Sequence, residues 1–318
     1  MSNTKIGLGL AALGRPEYIN INDGCSQDKS QEAFMKNALN VLDFAYEKGI
    51  RYFDTAPSYG KGEQFLINWN TNYKHADVTL STKWGYTYVA DWELGFSGAH
   101  EVKEHSLSKL IAQWEISKKL LPALKIYQVH SATFESGILE NKDVLNKLYE
   151  LKKQTGLQIG ITSSGANQIA IIDAALKIKI KNEDLFDSYQ VTYNILEQST
   201  HVILKQLIEQ QKTVIIKEGL ANGRLFKNEK FTHYQEVYGA LDTLAKKYNV
   251  GADAIVLRFI MDYLEPTYVL SGALSKEHLA QNLKAQNFKL EAKELELLAS
   301  FKTMPDAYWE ERNKLPWS

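Results

Sequence analysis

The chain has 318 residues, with 37 Lys and Arg against 38 Asp and Glu and a formal charge of −1. That balance argues against a nucleic-acid binder, whose phosphate contacts need a basic face, and 44% hydrophobic with 24% charged residues excludes disordered and fibrous chains. A single cysteine, Cys25, rules out an intrachain disulfide framework, and the absence of a secretory or membrane-spanning apolar run makes a cytoplasmic protein the expectation.

In chain order, short β-branched or aromatic runs alternate with segments of helical period. The predicted strands are 5–10, 51–56, 78–85, 125–131, 157–163, 188–194, 213–219 and 267–272. The first reads equally as a loop, because Gly7, Gly9 and Gly14 crowd it. Between the strands, apolar residues fall three and four apart, as in Phe34, Leu39, Leu42 and Tyr46, which marks cover helices. Eight such units with no linker predict one (β/α)₈ barrel over 1–318 rather than an open doubly wound sheet. Two stretches are expected to be loops: the aromatic-rich 86–100 and the tail 303–318 with Tyr308, Trp309 and Trp317. On a barrel, loops of this kind wall a pocket, so Trp84, Tyr86, Trp92 and Trp309 are its candidate lining.

GLGLAA, with Gly7, Gly9 and Ala12, matches a dinucleotide fingerprint but runs straight into Gly14 and Pro16, where a helix should continue. It is rejected as a pyrophosphate cradle. The seven histidines form no H-x-x-x-H pair, so no metal is expected, and neither a G-x-S-x-G elbow nor a P-loop occurs.

What remains is polar residues at successive strand ends. Asp54 ends the second strand and Tyr59 follows in a turn made by Pro57 and Gly60; Lys83 ends the third strand and His130 the fourth. Singly, each is ordinarily a cap or a packing residue. Together they occupy the face where barrels build catalysis. An ammonium beside a tyrosine lowers a pKa that is ordinarily about 10, Asp54 would orient Lys83, and a neutral histidine would direct a carbonyl oxygen toward the phenol.

These motifs, GIRYFDTAPSYGKGE, STKWG and YQVHSA, resemble those of the aldo-keto reductases, and the likeness runs from residue 5 to about 285. The resemblance implies that Tyr59 is the general acid, that Lys83 and Asp54 tune it, and that His130 positions the carbonyl. It also implies an extended nicotinamide cofactor, NADP(H) with NAD(H) as the alternative, and a small-molecule carbonyl or sugar-like substrate. Neither nucleic acid nor membrane is an expected partner.

By the same resemblance, Thr162 and Ser163 in GITSS and Gln190 in YQVTYN meet the carboxamide. In IIKEGLANGRL, Gly219, Leu220, Ala221 and Arg224 meet the pyrophosphate, while Lys217 stands where many members stack a tyrosine on the nicotinamide. In SGALSKEHLAQN, Gln281 and Asn282 match adenine-contacting positions. His278 and Gly272 fall where a basic residue often holds a 2′-phosphate, for which Lys276 or Arg224 is the substitute. Two rival functions remain: a silent nucleotide-binding barrel that regulates another protein, and an aldolase-like enzyme with Lys83 as Schiff-base nucleophile.

Overall fold

The computed structural model describes residues 4–18 and 28–316; Cys25 and Trp317 lie outside them. Eight parallel strands close into a ring: β1 (Lys5–Gly9), β2 (Tyr52–Asp54), β3 (Thr79–Trp84), β4 (Leu124–Val129), β5 (Gln158–Thr162), β6 (Ser188–Thr192), β7 (Thr213–Lys217) and β8 (Tyr268–Ser271). Pairing of Lys5 with Tyr268 shuts the ring between β1 and β8. Each of the eight falls on a predicted strand, including the glycine-rich first. Gly7 is required there, because a Cβ would come within 2.5 Å of the Tyr52 ring.

Strand alternation sorts side chains into two populations. Outward-facing Phe53, Trp84, Tyr127 and Tyr189 join the main hydrophobic core under the helices. Inward-facing residues form layers: Tyr52, Ile126 and Ile215 pack together near the strand starts, Tyr52 stacking on Tyr268 at 4.0 Å between ring centroids. Above them the interior turns polar, with Asp54, Ser81, Gln128 and Gln190 all buried.

Helix ends follow local chemistry. Ser30 caps α1 (Gln31–Glu47), Ser106 caps α2 (Leu107–Ser117) and Asn141 caps α3 (Lys142–Thr155), each accepting a backbone N–H from the first turn. Gly156, at φ +74°, ends α3. Near the C-terminus lie α4 (Lys276–Leu283) and α5 (Pro305–Asn313).

Two expectations change. The 86–100 segment is not all loop: Tyr86–Tyr88 pairs antiparallel with Glu101–Lys103, closing a hairpin over the barrel mouth. The tail contains α5, opened by Pro305 in its first turn, where a missing N–H costs nothing. Among the described residues, no helix is long and apolar enough to cross a membrane and no cluster of metal-ligating side chains occurs.

Candidate active site

Asp54, Lys83 and His130 arrive at the mouth by strand geometry. Asp54 is the last residue of β2, Lys83 the inward-facing penultimate residue of β3, and His130 directly follows β4. Tyr59 needs a turn instead. Its loop leans on the one after β1 partly through backbone: Gly14 O accepts from Lys61 N at 2.8 Å. A Cβ on Gly14 would lie 2.3 Å from Tyr59 O and 2.5 Å from Gly62 N, and one on Gly60, at φ +58°, 2.3 Å from Gly14 O. Gly14→Ala should therefore push the Tyr59 turn outward, lowering unfolding free energy by ~1–3 kcal/mol together with turnover. Thermal unfolding and an activity assay check this, and an unchanged melting point would contradict the contact.

Lys83 Nζ is ion-paired with Asp54 Oδ2 and donates to Thr55 O at 3.0 Å, with no side-chain exposure. Asp54 Oδ1 accepts from Gln190 Nε2 at 3.0 Å and from Gln128 Nε2 at 3.3 Å. A buried carboxylate with this many donors is held in one orientation. Burial lowers the pKa of Lys83 while Asp54 pulls it up. Lys83 Nζ lies 4.7 Å from the centroid of the Tyr59 ring, whose edge meets the His130 ring at 5.6 Å between centroids.

The expected lowering of the Tyr59 pKa does not occur in this resting arrangement. Burial raises it well above the ordinary value, and nearby Tyr18, Asp54, Glu101 and Glu218 add to the rise. Lys83 spends its charge on Asp54, so Tyr59 rests as a neutral phenol. His130 shifts the other way: burial, then the Lys83 and Lys217 charges, push it well below the usual histidine range. It is a neutral imidazole, with Nδ1 3.4 Å from Ser58 Oγ.

The remaining sequence candidates divide. Tyr86 stands beside His130, with ring centroids 4.9 Å apart. Trp84 faces outward, fully buried against His105, because its neighbour Lys83 takes the inward side. Trp92 is tied down by a bond from Nε1 to Lys29 O at 2.7 Å and by Phe34, and Trp309 is buried in the core beside Tyr308. Trp84 and Trp309 are thus packed into the core, while Trp92 stays half-buried.

Around the far side of the mouth, Thr162 Oγ1 accepts from Ser131 N at 2.6 Å, while the buried Ser163 Oγ has no partner among the described residues. Gln190 turns inward to Asp54. Lys217 Nζ donates to Thr192 Oγ1 at 2.6 Å and Ser164 Oγ at 2.8 Å. Gly219 packs against Ile260, and Leu220 leads into a single 3-10 turn over Ala221–Gly223, with Ala221 at φ +50°.

Arg224 is not a surface cation. It is buried, ion-paired to Glu311 of α5 at 2.7 Å and bonded to the Tyr308 carbonyl, so it anchors the tail and cannot hold a 2′-phosphate. Asn282 Nδ2 donates to Ser271 Oγ at 2.8 Å, which turns it inward, while Lys276, His278 and Gln281 are exposed on α4 and a Cβ on Gly272 would meet open space.

Sequence reasoning missed several residues here. Gln128 carried a usable signal, being two positions before His130 and so on the same strand face. Tyr18, Arg15, Glu218 and Arg312 carried none, since loops and the terminal helix α5 bring them in. Tyr18 lies 5.9 Å from Tyr59 between ring centroids, Arg15 pairs with Glu101 of the hairpin, and Arg312 of α5 pairs with Glu218 at 3.1 Å.

Residues 5–302 match the family model described as the Aldo/keto reductase family. The chain is similar to the uncharacterized oxidoreductase YqkF of Bacillus subtilis (strain 168), 27% identical over 96% of this chain and 94% of that one. It is also similar to the NADH-specific methylglyoxal reductase of Escherichia coli (strain K12), 23% identical over 79% and 83%. The glycerol dehydrogenase AKR11B4 from Gluconobacter oxydans superposes with a TM-score of 0.71 at 18% identity, over 93% of this chain and 90% of that one, and shares the fold. With the family model spanning nearly the whole barrel, the chain belongs to the aldo/keto reductase family of oxidoreductases.

Proposed function

We propose that this protein reduces a small aldehyde or ketone with a nicotinamide dinucleotide, Tyr59 delivering the proton. The observation that supports this most is the meeting of a neutral phenol and a neutral imidazole beside a buried Lys83–Asp54 pair at the barrel mouth. When bound, the nicotinamide supplies a hydride to the carbonyl carbon. Tyr59 gives its phenol proton to the carbonyl oxygen, and His130, with Nδ1 toward Ser58, directs Nε2 at the same atom. As the phenol loses its proton, the Lys83 ammonium favours the phenolate left behind, although it does not lower the resting pKa. Tyr18 and Tyr86 flank this point and exclude water.

The residues facing the tetrad suit the cofactor. The unpartnered Ser163 hydroxyl takes the carboxamide, the loop from Gly219 to Ala221 the pyrophosphate, and exposed Gln281 the adenine. With Arg224 committed to Glu311, Lys276, exposed at the start of α4, is the cation for a 2′-phosphate, and on it NADPH is preferred to NADH. The names of relatives point to carbonyl and alcohol substrates of differing polarity: one is a methylglyoxal reductase, and three are aryl-alcohol dehydrogenases by name. The Schiff-base alternative finds no support, because Lys83 has no exposed surface from which to attack a carbonyl.

Titrating the protein with NADPH and with NADH, followed by tryptophan quenching, tests the reading. Saturable binding, tighter for NADPH, and oxidation of the bound cofactor by small aldehydes are expected. Absence of binding by either would overturn the redox function.

A further inference from the structure

We infer that Lys103 selects carbonyl substrates that carry a carboxylate, binding that second group while Tyr59 and His130 hold the carbonyl. The inference rests on the redox reading above and deepens it by naming the substrate class.

Lys103 belongs to the hairpin over the barrel mouth, where it pairs directly across from Tyr86. Alternation along the two short strands puts Tyr86, Tyr88, Glu101 and Lys103 on one face and Thr87 and Val102 on the other. The first face is turned toward the mouth, because Tyr86 meets the His130 ring at 4.9 Å between centroids, whereas Val102 is exposed. The acid on that face is engaged, Glu101 pairing with Arg15. Lys103 is held far more loosely. Among the described residues its Nζ makes one hydrogen bond, to Thr133 Oγ1 at 3.4 Å, and no ion pair, and it lies 5.4 Å from the centroid of the Tyr86 ring. A carboxylate outcompetes a neutral hydroxyl for such a donor, since a hydrogen bond between charged partners is the stronger one.

Beside Lys103 opens a recess of about 500 Å³, walled by Lys103, His105, Thr133, Glu135 and Ser136. It abuts the reacting end of the site, because His105 Nε2 donates to the His130 carbonyl at 2.9 Å. His105 brings no charge: burial pushes its pKa down to about 4, so it is a neutral imidazole at ordinary pH. Lys103 is therefore the cation of the recess. Glu135, its acid, is exposed, bonded to Thr133 and beyond ion-pair distance of Lys103, so water screens its pull.

A substrate whose carbonyl oxygen meets Tyr59 and His130 runs its remaining atoms along the Tyr86 ring and ends at the Lys103 ammonium. His130, Tyr86 and Lys103 follow one another as successive contacts, which sets the carbonyl and the carboxylate at opposite ends of a short carbon chain. The half-buried setting strengthens the pairing beyond what open water allows. Burial also lowers the Lys103 pKa, and an arriving carboxylate raises it again, so charge and ligand reinforce one another.

The test compares straight-chain ω-oxo acids of increasing length with their methyl esters, which keep the carbonyl and the chain but lose the charge. With NADPH and with NADH, kcat/KM near neutral pH is measured on wild type, Lys103→Met and Lys103→Arg. Wild type should favour the acid over its ester by about tenfold at the best chain length, chiefly through KM; the ratio should fall to about one in Lys103→Met and persist in Lys103→Arg. A ratio near one in wild type at every length, or one that Lys103→Met leaves in place, would overturn the inference, while continued reduction of the esters would leave the redox function standing. Reduction of neither acids nor esters with either nucleotide would overturn both. Should Lys103→Met not fold, the wild-type ratio and Lys103→Glu, in which the preference should turn to the ester, still decide.

Discussion

Tyr59→Phe should lower kcat/KM for carbonyl reduction by roughly 10²–10⁴, the range for loss of a positioned proton donor. Cofactor binding should stay within about twofold, because the substitution removes one oxygen and keeps the ring contacts to Tyr18 and His130. The raised pKa of Tyr59 fixes the direction of the pH response. Reduction uses the phenol, which is the resting form, so its rate stays flat from neutral into alkaline pH. Alcohol oxidation uses the phenolate, the minor form, so its rate rises by about tenfold per pH unit over the same range. Rate profiles in both directions test this. A Tyr59→Phe variant that reduces carbonyls within about tenfold of the wild-type rate would remove Tyr59 from the chemistry.

The second large effect concerns the pair beneath it. Asp54→Asn leaves an ammonium buried without its counterion, and Lys83→Met leaves a carboxylate in the same position. Each should cost ~3–5 kcal/mol of stability. The double variant Asp54→Asn with Lys83→Met should recover most of that loss, because a neutral amide can still accept from Gln128 and Gln190 while the methionine fills the lysine's volume. Activity should not recover, since no charge remains to favour the phenolate. Denaturant unfolding of the three variants, set beside their turnover, separates the two roles. A double variant as unstable as either single one would show that the pair is not the source of the cost.

How much of this is legible in the sequence depends on whether geometry follows from local pattern. The eight strands are, because β-branched runs bounded by turns carry their own signal, and Asp54, Lys83 and His130 can be placed at the mouth simply by ending those strands. Trp84 misleads for a related reason: its position beside Lys83 suggests proximity to the site, whereas period-two alternation sends adjacent residues to opposite faces. The hairpin between Tyr86–Tyr88 and Glu101–Lys103 joins segments separated by an aperiodic stretch, and helix α5 is obscured by its aromatic residues although Pro305 marks its start. Arg224 looks like a ligand-binding cation because the sequence cannot show that Glu311 lies beside it. Glu218 and Arg312 meet only through tertiary folding, and the sequence does not show that the amide of Gln190 reaches Asp54 across the ring.

That last contact has a mechanical side. β2 and β6 stand opposite each other in the eight-membered ring, so the bond between Asp54 and Gln190 spans a full diameter, and the bond from Gln128 braces a shorter chord. A ring of strands deforms most readily by flattening into an ellipse, and a strut across the middle opposes that mode. The carboxylate that anchors Lys83 thereby also keeps the opening round, so surrounding loops can change length without loosening the frame on which Tyr59 and His130 are aligned.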